Sequence, residues 1–392
     1  MPITLATGDP APRFIVPARH SEKFHFDAVG GRYIVLCFVG SLGHAGMLDM
    51  LRRVAARTDV FDNAHAAFFA VSMDPRDREE RDGQIPNSFN LHLFWDFNGR
   101  ISQRYGVLEE ALEPGQQRRF TPASFILDPA LRVLSVVPLH DPSQHAALLA
   151  RIAGALPGIA QQARPAPVLV LPRVFEPEFC RALMDYYDNR GGSDSGFMRD
   201  DNGKTVGVVD YGMKRRRDCT IDDAALMSGV RGRIERRLVP EIQKSFNFRA
   251  TRLERYIVAC YDAGEGGYFK PHRDNTTIGT AHRRFAVTIN LNPDEYDGGD
   301  LRFPEFGPVT YRAPLGGAVV FSYSLLHEAL PVTRGRRYAV LPFLYDEEAH
   351  QQRERTRDMV QHENPLRVGA ALETFRRDTA TTTTAAGEPR RN

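Results

Sequence analysis

The sequence predicts two domains: an α/β domain over residues 1–156, and a mainly-β domain of sandwich or jelly-roll type with flanking helices over residues 168–346. Three observations lead to this prediction. Apolar strands alternate with helical patterns in the first part of the chain. Short apolar strands separated by Gly-rich turns follow in the second part. Between the two, residues 157–167 form a linker-like break in composition, marked by Gly158 and by Pro165-Ala166-Pro167.

The α/β domain is predicted from continuous apolar runs, helical segments and a hairpin. Runs that are apolar throughout are expected for strands that are covered on both faces. The predicted strands are Tyr33–Val39 and Ala66–Ser72, the predicted hairpin is Ser124–Asp128 with Leu131–Val137, and the predicted helices are 46–57 and Gln144–Ala155.

The mainly-β domain is predicted from β-branched and aromatic runs bounded by turn residues, such as Asp297-Gly298-Gly299. Two helices are expected to cover its outer face. The predicted strands are 168–171, 256–261, 285–291, 300–303, 317–322 and 337–345, and the predicted helices are 175–187 and 222–246.

Composition excludes several classes of protein. The formal charge of +2 over 392 residues gives no indication of nucleic-acid or anionic-membrane binding. The sequence has no apolar run of transmembrane length, and its first residues lack the pattern of a signal peptide. The cysteines are widely spaced and form no C-x-x-C pair, which is unlike a disulfide framework or a structural zinc site; they are Cys37, Cys180, Cys219 and Cys260. A reducing cytoplasm is the expected location.

Two short motifs in the second domain contain candidate metal ligands. His272 and Asp274 are two residues apart, so in an extended strand both would point to one face and reach one metal. His327, from a distant strand, would complete a 2-His-1-carboxylate facial triad. Such a triad leaves coordination positions open, as a non-haem Fe(II) oxygenase requires. A lone His-x-Asp pair is more often a surface pair, so the surrounding motifs decide the interpretation.

Those motifs resemble the Fe(II)- and 2-oxoglutarate-dependent dioxygenases, in the branch related to prolyl hydroxylases. The resemblance covers residues 168–346. It is carried by Ala259-Cys260-Tyr261, Gly267-Tyr268, His272-x-Asp274-Asn275, Leu291-Asn292, Gly298-Gly299-x-Leu301-x-Phe303-Pro304 and the run from His327 to Arg337.

The resemblance implies a double-stranded β-helix with Fe(II) bound by His272, Asp274 and His327. It implies that Arg337 binds the distal carboxylate of 2-oxoglutarate, with Tyr261 as a helper, and that O2 is the second co-substrate. Ascorbate is a further candidate cofactor. The neighbouring Arg334 and Arg336 compete for the role of Arg337, although in a strand Arg336 would point to the opposite face. The implied reaction hydroxylates a C–H bond of a prolyl residue or a small metabolite and releases succinate and CO2.

The first domain resembles the thioredoxin-like fold in its peroxiredoxin branch. The resemblance rests on Gly8-Asp9-Pro10-Ala11-Pro12, Gly40-Ser41, Trp95-Asp96, Tyr105-Gly106-Val107 and Thr121-Pro122. It implies a cis bond before Pro122. A peroxiredoxin requires a thiolate at the start of the helix after the first core strand, and residues 41–47 contain no cysteine. We therefore expect no peroxidase activity. Docking, homodimerisation or substrate presentation are the expected roles of this domain.

Two further segments have open interpretations. Residues 191–218 include Lys214-Arg215-Arg216-Arg217 and are predicted either as a solvated hairpin or as a flap over the metal, with the basic side chains contacting an acidic substrate or the domain's own carboxylates. In the extension over residues 347–392, a charged helix is expected over 347–360 and disorder beyond Asp378.

Two rival functions remain open at this point. A thiol-redox enzyme acting through the first domain would consume peroxide. A non-catalytic binding or scaffold protein would have no need of an intact triad and its arginine. The expected partners are a small-molecule or peptide substrate.

Overall fold

The computed structural model describes residues 5–110, 118–361 and 367–368. The chain forms two compact units. The first unit comprises Met1–Ala166 and Phe303–Val309, and the second comprises Pro167–Arg302 and Thr310–Asn392.

The first unit contains seven strands and three α-helices among its described residues. The strands are β1 (Ile15–Ala18), β2 (Ser21–His25), β3 (Tyr33–Gly40), β4 (Ala66–Ser72), β5 (Leu91–Trp95), β6 (Ala123–Leu127) and β7 (Val133–Pro138). The helices are α1 (Met47–Ala55), α2 (Arg100–Arg104) and α3 (Pro142–Gly154).

One mixed sheet forms the first unit, in the order β2-β1-β5-β4-β3-β6-β7. Strands β3, β4 and β5 are parallel, and β6 and β7 add to β3 as an antiparallel hairpin. Strand β3 is buried on both faces: Cys37 packs with α1 and α3, whereas Phe38 packs with the core on the opposite face. The thioredoxin-like fold predicted from the sequence is therefore confirmed.

The bond between Thr121 and Pro122 is trans, so the expected cis bond was wrong. In the trans form Leu139 donates its N–H to the carbonyl of Pro122, and Thr121 donates its N–H to Val107. Both main-chain groups are thus satisfied without the cis isomer.

The second unit is rich in short strands. They are β8 (Val168–Leu171), β9 (Ser193–Asp194), β10 (Phe197–Asp201), β11 (Lys204–Val209), β12 (Lys214–Arg215), β13 (Arg217–Thr220), β14 (Arg252–Glu254), β15 (Ile257–Asp262), β16 (Tyr268–His272), β17 (Phe285–Asn290), β18 (Asp297–Gly298), β19 (Leu301–Arg302), β20 (Thr310–Tyr311), β21 (Ala318–Ser322), β22 (His327–Ala329), β23 (Val332–Arg334), β24 (Arg336–Val340), β25 (Phe343–Tyr345), β26 (Val360–Gln361) and β27 (Arg367–Val368). Its helices are α4 (Pro177–Arg190), α5 (Ala224–Arg237), α6 (Val239–Phe246) and α7 (Glu347–Thr356).

Two antiparallel sheets organise this unit. The larger contains the path β14-β25-β17-β24-β15-β13-β9, with β21 attached to β17 and β8 attached to β21. The smaller has the order β12-β16-β22-β19-β20. This arrangement is a jelly roll, as the sequence predicts.

Strand alternation gives the larger sheet two different faces. On β15 and β24, Val258 and Val340 point to the core formed with helices α4 and α5. Tyr261 and Arg337 point to the opposite face, where a cavity lies. The helices cover one face, so the other is available for a site.

Two elements predicted as continuous are broken by proline. The helix expected over 222–246 is divided into α5 and α6 at Leu238, because Pro240 starts a new helix near its first turn. The strand expected over 337–345 is interrupted at Pro342, which has no N–H to extend the ladder.

The extension begins with helix α7, within the predicted charged segment. The expected disorder beyond Asp378 lies outside the described residues. Every helix in the described part of the chain is too short or too polar to cross a lipid bilayer.

Candidate metal and co-substrate site

The smaller sheet brings His272 and His327 side by side. His272 ends β16 and His327 begins β22, and the two are partners in the antiparallel ladder, with ring centroids 4.3 Å apart. Asp274 reaches both: its Oδ1 is 3.3 Å from Nε2 of His272, and its Oδ2 is 3.3 Å from Nε2 of His327. The structure thus brings the three predicted metal ligands together, with one ligand atom of each within 4.8 Å of the others.

The sequence suggested that Asp274 lies in an extended strand. In the structure it reaches the site from a turn. Strand β16 ends at His272, and Asp274 and Asn275 occupy the turn that follows, where these residue types are favoured. The turn is fixed by Asn275, whose Nδ2 donates to Oγ of Ser324 at 2.7 Å. Because Ser324 lies on the segment that leads into β22, this bond joins the two ligand-bearing segments.

A main-chain carbonyl orients each imidazole. Nδ1 of His272 lies 2.8 Å from the carbonyl oxygen of Lys270, and Nδ1 of His327 lies 3.0 Å from that of Leu325. A carbonyl oxygen only accepts hydrogen bonds, so we assign the proton of each ring to Nδ1. Each Nε2 then turns a lone pair towards Asp274. Oriented imidazoles of this kind are typical of metal ligands.

The protonation state of the site suits a divalent cation. Burial, together with the neighbouring His327, lowers the pKa of His272 to about 4. Burial alone would raise the pKa of Asp274, but its interactions with the two histidines, when these carry a proton on Nε2, outweigh burial and hold the pKa well below its usual range. A neutral imidazole and an ionised carboxylate are therefore expected near neutral pH. Two nitrogen lone pairs that converge on a carboxylate fit Fe(II), because a cation removes the repulsion between facing acceptors.

Arg337 provides an anion-binding group in the same cavity. Its side chain is 2% exposed, and its Nε and Nη1 have no hydrogen-bond partner among the described residues. A buried guanidinium with unmet donors is costly unless a ligand satisfies it. The competing Arg334 and Arg336 have side chains that are 64% and 56% exposed, so Arg337 is the one of the three that faces the cavity.

Tyr261 lies directly opposite Arg337 in the ladder between β15 and β24. The guanidinium carbon of Arg337 is 4.9 Å from the centroid of the phenol ring, and Tyr261 is buried. On its other side, Nη1 of Arg216 donates to the hydroxyl of Tyr261 at 3.3 Å. The Tyr261 oxygen therefore already accepts a bond, which leaves its own proton for an acceptor in the cavity. Arg337 and Tyr261 together fit the distal carboxylate of a 2-oxo acid.

The basic segment at 214–217 is partly buried at the site, which the solvated-hairpin interpretation did not anticipate. Lys214 and Arg216 are buried, and both contact Oγ of Ser195, at 2.7 and 2.9 Å. Arg216 also lies 2.7 Å from each carboxylate oxygen of Asp218. Arg216 thus contacts the domain's own carboxylate, one of the two contacts that the sequence allowed. Strand β13, which contains Asp218, pairs with β15 and so fixes this part of the segment next to Tyr261.

Sequence reasoning missed the residues that connect this network to the cavity, namely Ser195, Asp218 and Arg255. They are far apart along the chain and belong to no common motif. The one available signal was Asp218 itself, an acidic residue that directly follows the basic run. Apolar side chains from both sheets complete the cavity wall: Phe269, Leu301, Phe321, Ala329, Leu341 and Phe343.

The first unit has no thiolate at its corresponding position. In the loop between β3 and α1, the hydroxyl of Ser41 donates to Asp74 at 2.8 Å, and the N–H of Leu42 donates to the buried Asp77 at 2.7 Å. The nearest cysteine in the preceding strand, Cys37, is fully buried, and burial raises the pKa of its thiol to about 12. A reactive thiol would need the opposite shift.

The comparisons with known proteins agree with this geometry. Residues 256–345 match the model of the 2OG-Fe(II) oxygenase superfamily, a range that contains the triad, Tyr261 and Arg337. The second unit contains a 2OG-Fe(II) oxygenase domain. Residues 7–136 match the AhpC/TSA family, so an AhpC/TSA domain precedes the oxygenase domain in one chain.

Similar proteins include a PKHD-type hydroxylase of Maricaulis maris, which is 31% identical to this chain over 144 residues. The match covers 36% of this chain and 64% of that relative, so the chain spans less than two thirds of the relative's length. A viral collagen prolyl hydroxylase from Paramecium Bursaria Chlorella virus-1, solved with 2OG, aligns at 15% identity over 48% of this chain and 98% of its own, with a TM-score of 0.35. Peroxiredoxin Q of Xanthomonas campestris aligns at 19% identity over 36% and 90%, with a TM-score of 0.31.

Proposed function

We propose that the protein is an Fe(II)- and 2-oxoglutarate-dependent dioxygenase that hydroxylates a C–H bond. The observation that carries the proposal is one cavity lined by two oriented imidazoles, a carboxylate and an arginine with unmet donors. His272, Asp274 and His327 would hold Fe(II). When bound, Fe(II) would supply the redox chemistry by which O2 converts 2-oxoglutarate and a C–H substrate to succinate, CO2 and the hydroxylated product.

The chain's own residues contribute binding and exclusion of water. Arg337 would bind the distal carboxylate of 2-oxoglutarate, and Tyr261 would donate a second hydrogen bond to it. Phe269 and Phe321 pack against the imidazoles, with ring centroids 3.5 Å from His272 and 4.7 Å from His327, respectively. An apolar wall of this kind keeps water away from the reacting groups and strengthens the electrostatic interactions inside.

The substrate class follows from the resemblance and not from the geometry. A prolyl residue, free or in a peptide, is one candidate, and a small metabolite is the other. Ascorbate would act as an additional reductant, which an increase in turnover on its addition would test. Cytoplasmic location and homodimerisation through the first unit stay predictions.

The rival functions are less well supported. A thiol-redox enzyme requires an accessible thiolate, whereas all four cysteines are buried and unpaired. A scaffold would have no use for the buried Arg337, whose Nε and Nη1 have no partner among the described residues.

The test is the Fe(II)-dependent formation of succinate from 2-oxoglutarate in air, followed by NMR with and without a panel of prolyl peptides and small metabolites. Succinate formation that is lost in His272→Ala and kept in the exposed control His44→Ala would support the proposal. Fe(II)-loaded, folded protein that forms no succinate with or without the panel, and that does not bind 2-oxoglutarate, would overturn it.

A further inference from the structure

Arg255 has a strained backbone next to the cavity. It lies between β14 and β15 with φ of +74°, in the left-handed region that residues other than Gly and Asn rarely occupy. Its side chain is 26% exposed and lines the same cavity as His272, Asp274 and Arg337. Strained residues held by their surroundings cluster at functional sites, so this position calls for a functional explanation.

The charge of Arg255 is only partly compensated. Its Nη2 donates to Oδ2 of Asp218 at 2.9 Å, and Nη2 of Arg216 donates to the same oxygen at 2.7 Å. Two guanidinium groups therefore share one carboxylate. Among the described residues, the bond from Nη2 to Asp218 is the one hydrogen bond of Arg255. Its Nε and Nη1 therefore remain available to a ligand. Lys214 is a third basic group near Asp218, although burial and the charge of Arg216 hold its pKa well below the usual range.

Neighbouring arginines have better-matched partners. Arg283, which packs on the same Phe343 ring, pairs with Glu254 and donates to the hydroxyl of Tyr323 at 2.7 Å. Burial and the charge of Arg216 lower the pKa of Arg255, and Asp218 and Asp274 offset only part of this. An anion placed against Arg255 would compensate the positive charge that Asp218 leaves uncompensated. Arg337 is separate from this group because Tyr261 lies between it and Arg216, 4.9 Å from one guanidinium carbon and 5.6 Å from the other.

We propose that Arg255 binds a carboxylate of the primary substrate, so that the oxygenase site selects acidic over neutral substrates. The proposal rests on the proposed function, because it assigns Arg337 to 2-oxoglutarate and leaves Arg255 for the second organic substrate. A guanidinium suits a carboxylate because two parallel N–H groups can donate to its two oxygens. The carboxylate could belong to a free acid or to an acidic peptide, and the same contact would serve both.

The experiment uses matched acid and amide probes on the full chain, loaded anaerobically with Fe(II) and 2-oxoglutarate. The probes are acetate and acetamide, N-acetylproline and N-acetylprolinamide, and an N-acetylated, C-amidated Asp-Pro dipeptide with its Asn-Pro counterpart. Binding is measured by isothermal titration calorimetry. We expect the acid of at least one pair to bind about tenfold more tightly than its amide, which is the ratio that about 1.4 kcal/mol produces. The Asp-Pro pair separates a peptide source from a free acid.

The variants distinguish loss of the contact between Arg255 and the substrate from loss of the fold. Arg255→Asn should keep the fold, because asparagine tolerates the left-handed conformation, and should lose the preference for the acid. Arg255→Lys keeps the charge and should retain part of the preference. Arg252→Asn, at an exposed arginine paired with Glu347, is the matched control and should behave as the wild type.

Three results would overturn the inference: wild type that binds no acid more tightly than its amide, a preference that survives in Arg255→Asn, or loss of 2-oxoglutarate binding in Arg255→Asn. The last result would place Arg255 in the co-substrate site. Failure of the wild type to bind 2-oxoglutarate at all would instead overturn the proposed function, so the two failures are distinguishable.

Discussion

Tyr261 and Arg337 are cross-strand partners on the cavity face of the larger sheet, and the guanidinium of Arg337 lies 4.9 Å from the phenol centroid. The contact holds the arginine stem in place while its Nε and Nη1 stay unpaired within the described residues. Such a pair is preorganised for an anion, because the ring orients the cation without using its donors.

Replacement of Arg337 should separate co-substrate binding from stability. Arg337→Gln is expected to weaken 2-oxoglutarate binding by about 30- to 1,000-fold, since loss of a buried charge contact costs about 2–4 kcal/mol. Arg337→Met should also lose binding and should change the melting temperature little, because it loses the contact with the Tyr261 ring but also removes a buried cation whose Nε and Nη1 are unpaired among the described residues. Calorimetry and thermal unfolding measure the two effects.

Arg334→Gln is the matched control, since Arg334 forms an exposed pair with Asp297. Unchanged 2-oxoglutarate affinity in Arg337→Gln would contradict the assignment of Arg337 as the residue that binds the distal carboxylate.

Gly299 packs against the stem of Arg337, so a larger residue there should disturb co-substrate binding. A Cβ at Gly299 would lie 3.1 Å from Cδ of Arg337 and 2.8 Å from Cγ2 of Val332, and its φ is +68°. Gly299→Ala is expected to lower the free energy of unfolding by about 1–2 kcal/mol through backbone strain. It should also weaken 2-oxoglutarate binding.

The control for Gly299→Ala is Gly203→Ala, which has a φ of +77° and nothing within 4 Å of the added Cβ. Gly203→Ala therefore introduces the same kind of backbone strain without a new contact to Arg337. Equal losses of 2-oxoglutarate affinity in both variants would contradict the packing argument.

Glu254 should stabilise the second unit in a pH-dependent way. Burial alone would raise its pKa, but the hydrogen bond with His282 and the charge of Arg283 lower it to about 2. A carboxyl whose folded pKa lies below its unfolded value stabilises the fold above the unfolded pKa, and this contribution is lost as the pH falls towards the folded pKa. The shift from 4.5 to about 2 corresponds to about 3 kcal/mol.

The measurement is urea unfolding of wild type and Glu254→Gln between pH 3 and pH 7. The difference in unfolding free energy should be largest near pH 7 and should shrink below about pH 4.5. Glu347→Gln, at an exposed ion pair, should show little difference at any pH. A Glu254→Gln difference that grows as the pH falls would contradict the assigned sign.

Sequence patterns predicted the fold class because periodicity and turn residues determine it locally. They offered His327 as a third ligand beside His272 and Asp274, and the resemblance supported that choice, because no local pattern specifies that β16 and β22 are ladder partners. The departures have local causes: Pro240 and Pro342 break predicted elements, and the turn after β16 displaces Asp274 from the strand.

The charge network around Asp218 could not be predicted from the sequence, for a different reason. Arg255 and Asp218 are joined by the pairing of β13 with β15, and a positive φ at an arginine has no sequence signal. The basic run at 214–217 indicated charge, but not that its alternate members are buried.

The cysteines should be unreactive in the folded protein. Burial raises the pKa of Cys37 and Cys180 to about 12 and that of Cys260 to about 11, and it also raises the pKa of Cys219. A thiol reagent at pH 8 should label none of the four within minutes, and all four after unfolding. The protein should not accelerate peroxide loss. Rapid native labelling of Cys37, or thiol-dependent peroxide consumption, would return the redox function to consideration.

The most direct test of the central claim is anaerobic titration of the protein with Fe(II) and 2-oxoglutarate, followed by visible absorption. We expect a weak charge-transfer band in the wild type that requires both Fe(II) and 2-oxoglutarate. The band should be absent in His272→Ala and present in His44→Ala. Absence of the band in folded wild-type protein that has taken up iron, or its persistence in His272→Ala, would contradict the assignment of this cavity as an oxygenase site.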